Sequence, residues 1–418
     1  MNRRNSLTAL VQGVAALATT LALVACGGGG ATEETPSDVG ASGGDEPGGS
    51  PGGGGNPGGG NPGTKPTFTA FAAGSAHTLA LRSDGALFGW GYNAVGSLGD
   101  GSTTDRTSAV KLGDAAFATD VAAGNRHSLV LRADGTVWAS GANERHQLGD
   151  GSISTRISRV QVPGLAGVKR VRAGGMTSFA QLQDGSVYAW GDNRWGLVGD
   201  GTRVERALPQ PVPALNGVKD IRLGERLGAA LRADGTVLMW GQDLAGDLGD
   251  PGAGDRLSPV PVSGLSGITA IAVGDLHVVA LKSDGSVWTL GDNSYGQLGL
   301  GAVAYQATAT AVPNVSGAIE VQAGAIKTMV RLADGSVRAW GDNDTGSLGD
   351  GSSLTRKTPV VASMLAGAKQ IALGFAHTLF VRSDGALVGL GANTSGSLGD
   401  GTAVDRLQPV PVVGIDAP

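Results

Sequence analysis

Residues 271–291 read IAVGDLHVVALKSDGSVWTLG, which is three short apolar runs separated by turn residues. The runs His277 to Lys282 and Ser286 to Gly291 alternate in polarity and flank a two-residue Asp284-Gly285. An Asp-Gly pair between such runs indicates a β-hairpin, and it favours a type I′ turn with positive φ at both central residues. Ile271 to Gly274 predicts a further short strand before the hairpin.

This pattern returns every 50 residues, seven times and without an insertion. The Asp-Gly pairs lie at 84–85, 134–135, 184–185, 234–235, 284–285, 334–335 and 384–385. Glycines equivalent to Gly74 and Gly91 keep the same spacing in every repeat. The motif Leu98-Gly99-Asp100-Gly101 recurs as well, and it becomes Leu-Gly-Leu-Gly in the fifth repeat. A fixed period of this length indicates a solenoid, an array or a propeller.

A fourth strand is predicted around residue 260, so each repeat contains strands A (around 271), B (279), C (288) and D (260). Prolines concentrate in D, as an edge strand allows. The connection from C to D is long, so we expect it to cross between blades and each blade to have the order D-A-B-C. The last D strand, Gln408 to Val412, is then expected to pair into the first blade and close the ring.

The repeat resembles that of the regulator-of-chromosome-condensation family, whose fold is a seven-bladed β-propeller. The resemblance covers residues 68–414, and in the first repeat it rests on Ala73-Gly74, His77, Leu79, Leu81, Asp84-Gly85, Trp90-Gly91, Asn93, Gly96 and Leu98-Gly99. It implies an all-β propeller of seven four-stranded antiparallel blades. It implies no single function, because the family includes a guanine-nucleotide exchange factor, ubiquitin-ligase propellers, a light sensor and a secreted β-lactamase-inhibitory protein. The exchange factor uses an inserted β-wedge, for which a uniform 50-residue spacing leaves no room.

Residues 1–25 predict a signal peptide and residues 26–66 a tether, ahead of the propeller at 67–418. Arg3 and Arg4 precede an uncharged apolar run from Leu7 to Leu23. Leu23-Val24-Ala25-Cys26 resembles the lipobox of bacterial lipoproteins, which implies that Cys26 carries a lipid. The alternative is an ordinary secretory signal with an incidental cysteine. Residues 27–66 hold 17 glycines and predict a disordered linker.

The targeting pattern predicts an exported lipoprotein of the bacterial cell envelope. Gly27 offers no inner-membrane retention signal, which favours the outer membrane. We expect a monomer that contacts the membrane through its lipid anchor alone.

Composition narrows the functional classes. The net charge is −5, which argues against nucleic-acid binding. Cys26 is the single cysteine, so neither an intramolecular disulfide nor a Cys₂His₂ zinc site can form. The sequence has no H-E-x-x-H or G-x-S-x-G motif. We therefore predict no enzyme, no metal and no cofactor, and we expect His77, His127, His277 and His377, which share one repeat position, to be satisfied within their own blades.

An aspartate and an arginine six residues apart are predicted to form an ion pair that braces the C–D loop. In the fifth repeat both change together, to Leu300 and Gln306, as expected when the loss of one partner alone is costly. The pairs are Asp100 and Arg106, Asp150 and Arg156, Asp200 and Arg206, Asp250 and Arg256, Asp350 and Arg356, and Asp400 and Arg406. An anion-binding ring of arginines is the alternative.

Strand parity predicts two different faces. The A–B turns and C–D loops share one face, here called the loop face, and the Asp-Gly turns and D–A links share the other, the turn face. The turn face is uniform in sequence, whereas the loop face varies between repeats and carries aromatic and arginine residues typical of binding hot spots. The candidate partner-binding residues are Arg126, Arg145, His146, Arg194, Trp195, Arg226, Tyr295 and Phe375.

The leading hypothesis is a protein-binding or scaffold module. A glycan binder that stacks sugars on Trp195, Tyr92 and Tyr295 is the first alternative. Two further alternatives are an enzyme with a site at the channel mouth and a guanine-nucleotide exchange regulator. The simplest explanation of the variable loop face is sequence drift without selection for binding.

Overall fold

The computed structural model describes residues 67–113, 117–243 and 254–415. The predicted signal peptide, Cys26, the tether and Asp250 lie outside the described residues. The described part is all-β, with two one-turn 3₁₀ helices at Pro213–Leu215 and Ser363–Leu365. It contains no helix of the length and apolar character needed to cross a bilayer.

Each repeat forms one four-stranded antiparallel sheet, so the described residues build seven blades. The A strands are β1 (Phe68–Ala73), β5 (Ala118–Ala123), β9 (Val168–Gly174), β13 (Asp220–Leu223), β17 (Ile268–Val273), β21 (Ala318–Ala323) and β25 (Gln370–Leu373). The B strands are β2 (His77–Arg82), β6 (His127–Arg132), β10 (Thr177–Leu182), β14 (Leu227–Leu231), β18 (His277–Lys282), β22 (Lys327–Leu332) and β26 (His377–Val381).

The two outer strands of each blade complete the sheet. The C strands are β3 (Leu87–Gly91), β7 (Val137–Gly141), β11 (Val187–Gly191), β15 (Val237–Gly241), β19 (Val287–Asp292), β23 (Val337–Gly341) and β27 (Leu387–Gly391). The D strands are β4 (Arg106–Lys111), β8 (Arg156–Gln161), β12 (Arg206–Pro211), β16 (Arg256–Pro261), β20 (Tyr305–Ala311), β24 (Arg356–Val361) and β28 (Arg406–Pro411). The all-β, seven-bladed prediction is confirmed.

The Asp-Gly hairpins form as predicted, but the predicted turn type is wrong. Arg82 and Ala86 close a three-residue loop, with the Arg82 amide donating to the Ala86 carbonyl at 2.9 Å. Only Gly85 takes a positive φ, of 80°, and Asp84 does not. The Asp84 carboxylate instead accepts the Ala86 amide at 3.1 Å. The aspartate therefore stabilises the turn through a side-chain hydrogen bond, and the glycine is the single residue of the turn with left-handed backbone geometry.

The predicted D-A-B-C strand order is also wrong. Each D strand pairs with the C strand of its own repeat, as Val110 does with Gly89, so the blade order is A-B-C-D. The long C–D connection is therefore a compact reversal rather than a crossover, and the short D–A link carries the chain to the next blade. Strand β28 consequently pairs with β27 in the seventh blade and not with a strand of the first.

The A strands are innermost and contact one another in a ring that includes β25 against β1. The core lies between blades, where Trp90, Trp190, Trp240 and Trp340 are fully buried. The indole of Trp90 donates to the Ser397 carbonyl at 3.0 Å, joining the first blade to the seventh. Gly401 also donates its amide to the Thr107 carbonyl at 2.8 Å, and Gly101 makes the equivalent bond to Ile157 at 3.0 Å. The first and last blades therefore meet as other neighbouring blades do.

Candidate functional site

An asparagine near the start of the C–D loop, present in six of the seven repeats, holds the loop together; the fourth repeat has Asp243 there. Asn93 donates through Nδ2 to Asp100 Oδ1 at 3.1 Å and to the Thr104 carbonyl at 3.2 Å. Its Oδ1 accepts the Leu98 amide at 3.0 Å. Because Asn93 is buried and bonded on both sides, it folds the loop into a rigid hub. The sequence analysis gave this residue no role, although its recurrence at Asn143, Asn193, Asn293, Asn343 and Asn393 was a usable signal.

The structure places an Asp–Arg ion pair in five of these loops. The closest nitrogen–oxygen distance in each pair is 2.6 Å for Asp100 and Arg106, 2.8 Å for Asp150 and Arg156, 2.5 Å for Asp200 and Arg206, 2.7 Å for Asp350 and Arg356, and 2.7 Å for Asp400 and Arg406. Burial would raise the pKa of Asp100, but hydrogen bonds from Arg106 and Ser102 outweigh it and lower the pKa. The pair of Asp250 and Arg256 is not described, because Asp250 lies outside the described residues.

The fifth blade closes its loop without this ion pair. Asn293 donates to the carbonyls of Gly301 and Val303, at 3.3 and 2.7 Å. The main-chain amide of Asn293 donates to the Ala304 carbonyl at 3.0 Å. In the first blade the main-chain amide of Asn93 donates instead to the Asp105 carboxylate at 2.7 Å. Main-chain oxygens thus replace the carboxylates, which is how Leu300 and Gln306 are accommodated.

Six of the eight candidate partner-binding residues lie on blades 2 to 4 of the loop face. Five of them form a group that we call the arginine patch: Arg126, Arg145, Arg194, Trp195 and Arg226. Two of its members bridge neighbouring blades. Arg145 Nη1 lies 2.7 Å from Glu205 Oε1 of the next blade. The guanidinium of Arg226 lies over the Trp195 ring of the preceding blade, 5.2 Å from its centre. The patch is therefore one connected surface.

Acidic residues hold the remaining arginines of the patch in place. Arg126 pairs with Glu144 across the edge of the second blade. Arg194 pairs with Asp192 at 2.8 Å and is itself exposed. Burial would raise the pKa of Asp192, but the hydrogen bonds and charge of Arg194 outweigh it and lower the pKa. The patch thus presents oriented charges of both signs around the half-buried Trp195.

The other three candidate residues are not members of the arginine patch. His146 takes a φ of 60°, and its Nδ1 lies 3.0 Å from the Ser152 carbonyl within its own loop. Tyr295 belongs to the fifth blade. Phe375 lines the mouth of the central channel.

The A–B turns surround this channel mouth, which has a cavity volume of about 150 Å³. Glu225 and Asp275 lie side by side on its lining. Burial, and then repulsion from Glu225, raise the pKa of Asp275 to about 7, although Arg226 opposes the shift. Within the described ranges no three metal-ligating side chains come together, here or elsewhere.

The prediction that the histidines are satisfied within their own blades is wrong. His77 Nε2 lies 2.9 Å from Ser128 Oγ of the next blade, and His127 and His277 reach Ser178 and Thr328 in the same way, at 2.8 and 3.0 Å. All four rings are buried. In the first blade the His77 ring lies against Gly74 of its own inner strand and extends to Ser128 of the neighbouring blade. Burial lowers the pKa of His77 to about 4 and that of His277 to about 3.

Seven repeated blades with buried inter-blade histidines and tryptophans define a propeller of the chromosome-condensation-regulator type. A family model described as the RCC1-like domain matches residues 24–281. Models described as the regulator of chromosome condensation (RCC1) repeat match residues 268–297, 284–329 and 334–381. The first match spans more than half of the sequence, so this chain belongs to the RCC1-like domain family.

Solved structures share the propeller fold of this chain. Human WBSCR16 is 22% identical, with a TM-score of 0.68 over 75% of this chain and 86% of that chain. A structure of Kap60 bound to yeast RCC1 (Prp20) gives 21% identity and a TM-score of 0.70 over 84% of this chain and 85% of that chain. Prp20p from Saccharomyces cerevisiae gives 21% identity and a TM-score of 0.69 over 84% and 88%. At these identities the likeness shows a common fold alone.

Proposed function

We propose that the protein is a binding module that holds a protein partner against the arginine patch and performs no chemistry of its own. The observation that carries the proposal is the contact of Arg226 with Trp195 together with the Arg145–Glu205 ion pair, since both join separate blades into one surface. Arginine and tryptophan dominate binding hot spots in protein interfaces. Arginines already oriented by carboxylates lose little side-chain entropy when a partner binds.

The descriptions of the similar structures support a protein as the partner class. Prp20 is described there as bound to Kap60, and as having binding properties to Gsp1p and histones. These partners belong to that protein, and the shared fold supports only the coarser proposal that the present chain binds a protein.

The packing of Trp195 favours a protein over a glycan. A lectin site needs an open aromatic face on which a sugar ring can stack. One face of Trp195 is covered by the guanidinium of Arg226. The ring is therefore better suited to lie at the edge of a protein interface than to serve as a sugar platform.

A matched pair of variants tests the proposed face. Proximity labelling with the full-length protein identifies a partner, whose affinity is then measured with purified proteins. We expect Arg194→Glu, Arg226→Glu and Trp195→Ala together to weaken binding by about tenfold or more. The control is Lys282→Glu with Trp288→Ala, which removes a cation–aromatic contact of 3.6 Å from the turn face. Equal affinity of the loop-face variant and the wild type would contradict the proposed face.

We further propose that the module is exported and anchored by a lipid on Cys26, in the outer membrane. The support is the sequence pattern around Cys26, which lies outside the described residues. We expect Cys26→Ser to move the protein from the membrane fraction to the soluble fraction and to abolish labelling by a palmitate analogue. Membrane retention of the variant would contradict the anchor and leave the binding proposal intact.

A further inference from the structure

The innermost strands of the third and fourth blades gather three arginines around one aspartate. Arg170 Nη1 and Arg172 Nη2 each lie 3.3 Å from Asp220 Oδ1. Arg222 Nε lies 2.8 Å from Asp220 Oδ2. Three guanidinium groups thus share a single carboxylate, and none of these residues belongs to the arginine patch of the loop face.

The wall of the central channel carries this cluster. Val171 and Ile221 alternate with the arginines and are buried between blades, so the arginines project from the opposite side of the strands. Water reaches 43% of the Arg222 side chain although the residue lies in the innermost strand. Because the A strands are innermost and contact one another in a ring, this exposed surface opens towards the channel.

Charge around the cluster is unbalanced towards positive. A second carboxylate, Asp120, lies 3.4 Å from Arg172 Nη1, and it also accepts the Val171 amide at 3.0 Å. Two aspartates therefore face three arginines. Glu320, on the inner strand of the sixth blade, is engaged by Arg331 at 2.6 Å and does not compensate the excess.

Donor groups in the cluster remain without acceptors in the described part of the chain. Arg172 Nε is buried and has no hydrogen-bond partner there. Arg222 contacts Asp220 through Nε, and its two terminal nitrogens make no hydrogen bond within the described residues. The cluster therefore has both the charge and the donors to accept an anion.

The positive charge is local to the third and fourth blades. At the equivalent positions the first and fifth blades carry Ala70, Ala72, Ala270 and Ala272, which pack among the apolar side chains between blades.

We propose that the central channel binds a multivalent oxyanion, bearing phosphate or carboxylate groups, through Arg222 and Arg172. A planar guanidinium binds two oxygens of such a group at once. The site is separate from the arginine patch on the loop face, so a failed test of the anion site would leave the protein-binding proposal unaffected.

Calorimetric titration of the full-length protein with inorganic phosphate and with citrate, in low-salt buffer, tests the site. We expect saturable one-site binding of at least one anion and a loss of at least tenfold in affinity in Arg222→Gln. The matched control is Arg382→Gln, which removes an exposed arginine paired with Asp384 outside the channel. Stronger binding of phosphate would identify a phosphate-bearing ligand, and stronger binding of citrate a carboxylate ligand. Unaltered affinity in Arg222→Gln, or no saturable binding of either anion, would overturn the proposal.

A second variant separates an anion site from a purely structural cluster. Asp220→Asn removes the carboxylate that competes for all three arginines, so we expect anion affinity to rise several-fold even if the unfolding temperature falls. The anion should also raise the unfolding temperature of this variant more than that of the wild type. Weaker anion binding by Asp220→Asn would show that the arginines serve the fold alone.

Discussion

The ammonium group of Lys327 donates a hydrogen bond of 2.9 Å to the main-chain oxygen of His377, across the junction of the sixth and seventh blades. Lys327 is 1% exposed and occupies the repeat position that holds histidine in four other blades. Burial lowers its pKa to about 7, while the charge of Asp342 opposes the shift. The junction therefore contains a lysine that is easily deprotonated.

Lys327→Met should stabilise the protein most at neutral and lower pH. The unfolded chain keeps the lysine proton up to its ordinary pKa of 10.5, whereas the folded chain releases it near 7. Between these pH values the unfolded state binds more protons, so the free energy of unfolding of the wild type rises with pH. Below about pH 7 the wild type bears the full cost of burying a charged lysine. We expect a gain on the order of 2 kcal/mol or more at pH 7 that shrinks by pH 10.

Denaturant unfolding at pH 7 and pH 10 measures this difference, with Lys357→Met on the exposed surface as the control. A gain of equal size at both pH values would show that packing, and not the charge, is responsible.

The junction of the seventh and first blades lacks one hydrogen bond that three other junctions make. His377 Nε2 and Thr78 Oγ1 occupy the bonding positions, yet both are buried without a partner in the described residues. At the junction of the fifth and sixth blades, Thr328 Oγ1 lies 3.0 Å from His277 and donates to the Gln297 carbonyl at 2.8 Å. We expect Thr78→Val to be neutral or slightly stabilising and Thr328→Val to cost about 1–3 kcal/mol.

Thermal and denaturant unfolding of the two valine variants checks this contrast, since the substitution is the same at both sites. Similar losses in both variants would mean that the first threonine is hydrogen-bonded in solution.

The ion pair in the C–D loop of the sixth blade should contribute more than an exposed pair. Arg356 Nε lies 2.7 Å from Asp350 Oδ2, and the carboxylate is only 4% exposed. Arg356→Gln leaves that buried carboxylate without its cation, so we expect a loss of about 1–3 kcal/mol. Arg382→Gln breaks a pair of 3.2 Å in which both side chains are more than half exposed, and it should cost less than about 1 kcal/mol.

The fifth blade supplies a further comparison for the ion pair. Adding Arg356→Gln to Asp350→Leu recreates its Leu300 and Gln306 arrangement, so the double variant should be hardly less stable than Asp350→Leu alone. Strictly additive losses in the unfolding free energy would argue that the two side chains act separately.

Two glycines of the sixth blade should respond differently to the same substitution. Gly341 has a φ of 103°, and an added Cβ would lie 2.5 Å from the Ile326 carbonyl. Gly335 has a φ of 82° in its hairpin, with nothing within 4 Å of an added Cβ. We expect Gly335→Ala to cost about 1–2 kcal/mol and Gly341→Ala about 3 kcal/mol or more. Unfolding free energies that fail to separate the two variants would contradict the close contact at Gly341.

Sequence periodicity was enough to predict the blades but not how the strands are shared among them. A 50-residue repeat has no intrinsic starting point, so the choice between D-A-B-C and A-B-C-D depended on the C–D loop. That loop is compact because Asn93 bonds on both sides of it, and loop length alone does not reveal such a hub. The turn type was missed for a related reason, since the Asp84 side chain supplies a bond expected from main-chain geometry.

The candidate sites also depend on contacts between repeats that a single sequence does not reveal. Asp100 and Arg106 change together in the fifth repeat, so their contact could be inferred from one sequence. The partner of His77 is 51 residues away, and Asp120, Arg172 and Asp220 are separated by similar distances along the chain. Residues in successive repeats become neighbours only when the blades pack side by side. The arginine patch also depends on this packing, and its role in binding stays a prediction.

Because each blade consists of one uninterrupted repeat, the boundaries of the repeat coincide with the boundaries of a structural unit. Within the described residues no blade borrows a strand from the opposite end of the chain, since β28 completes its own blade. The described chain could therefore be cut at any D–A link without dividing a sheet. In evolutionary terms, recombination between repeats exchanges whole blades, so surface loops can be reshuffled around the ring while every hydrogen-bonded sheet is inherited intact.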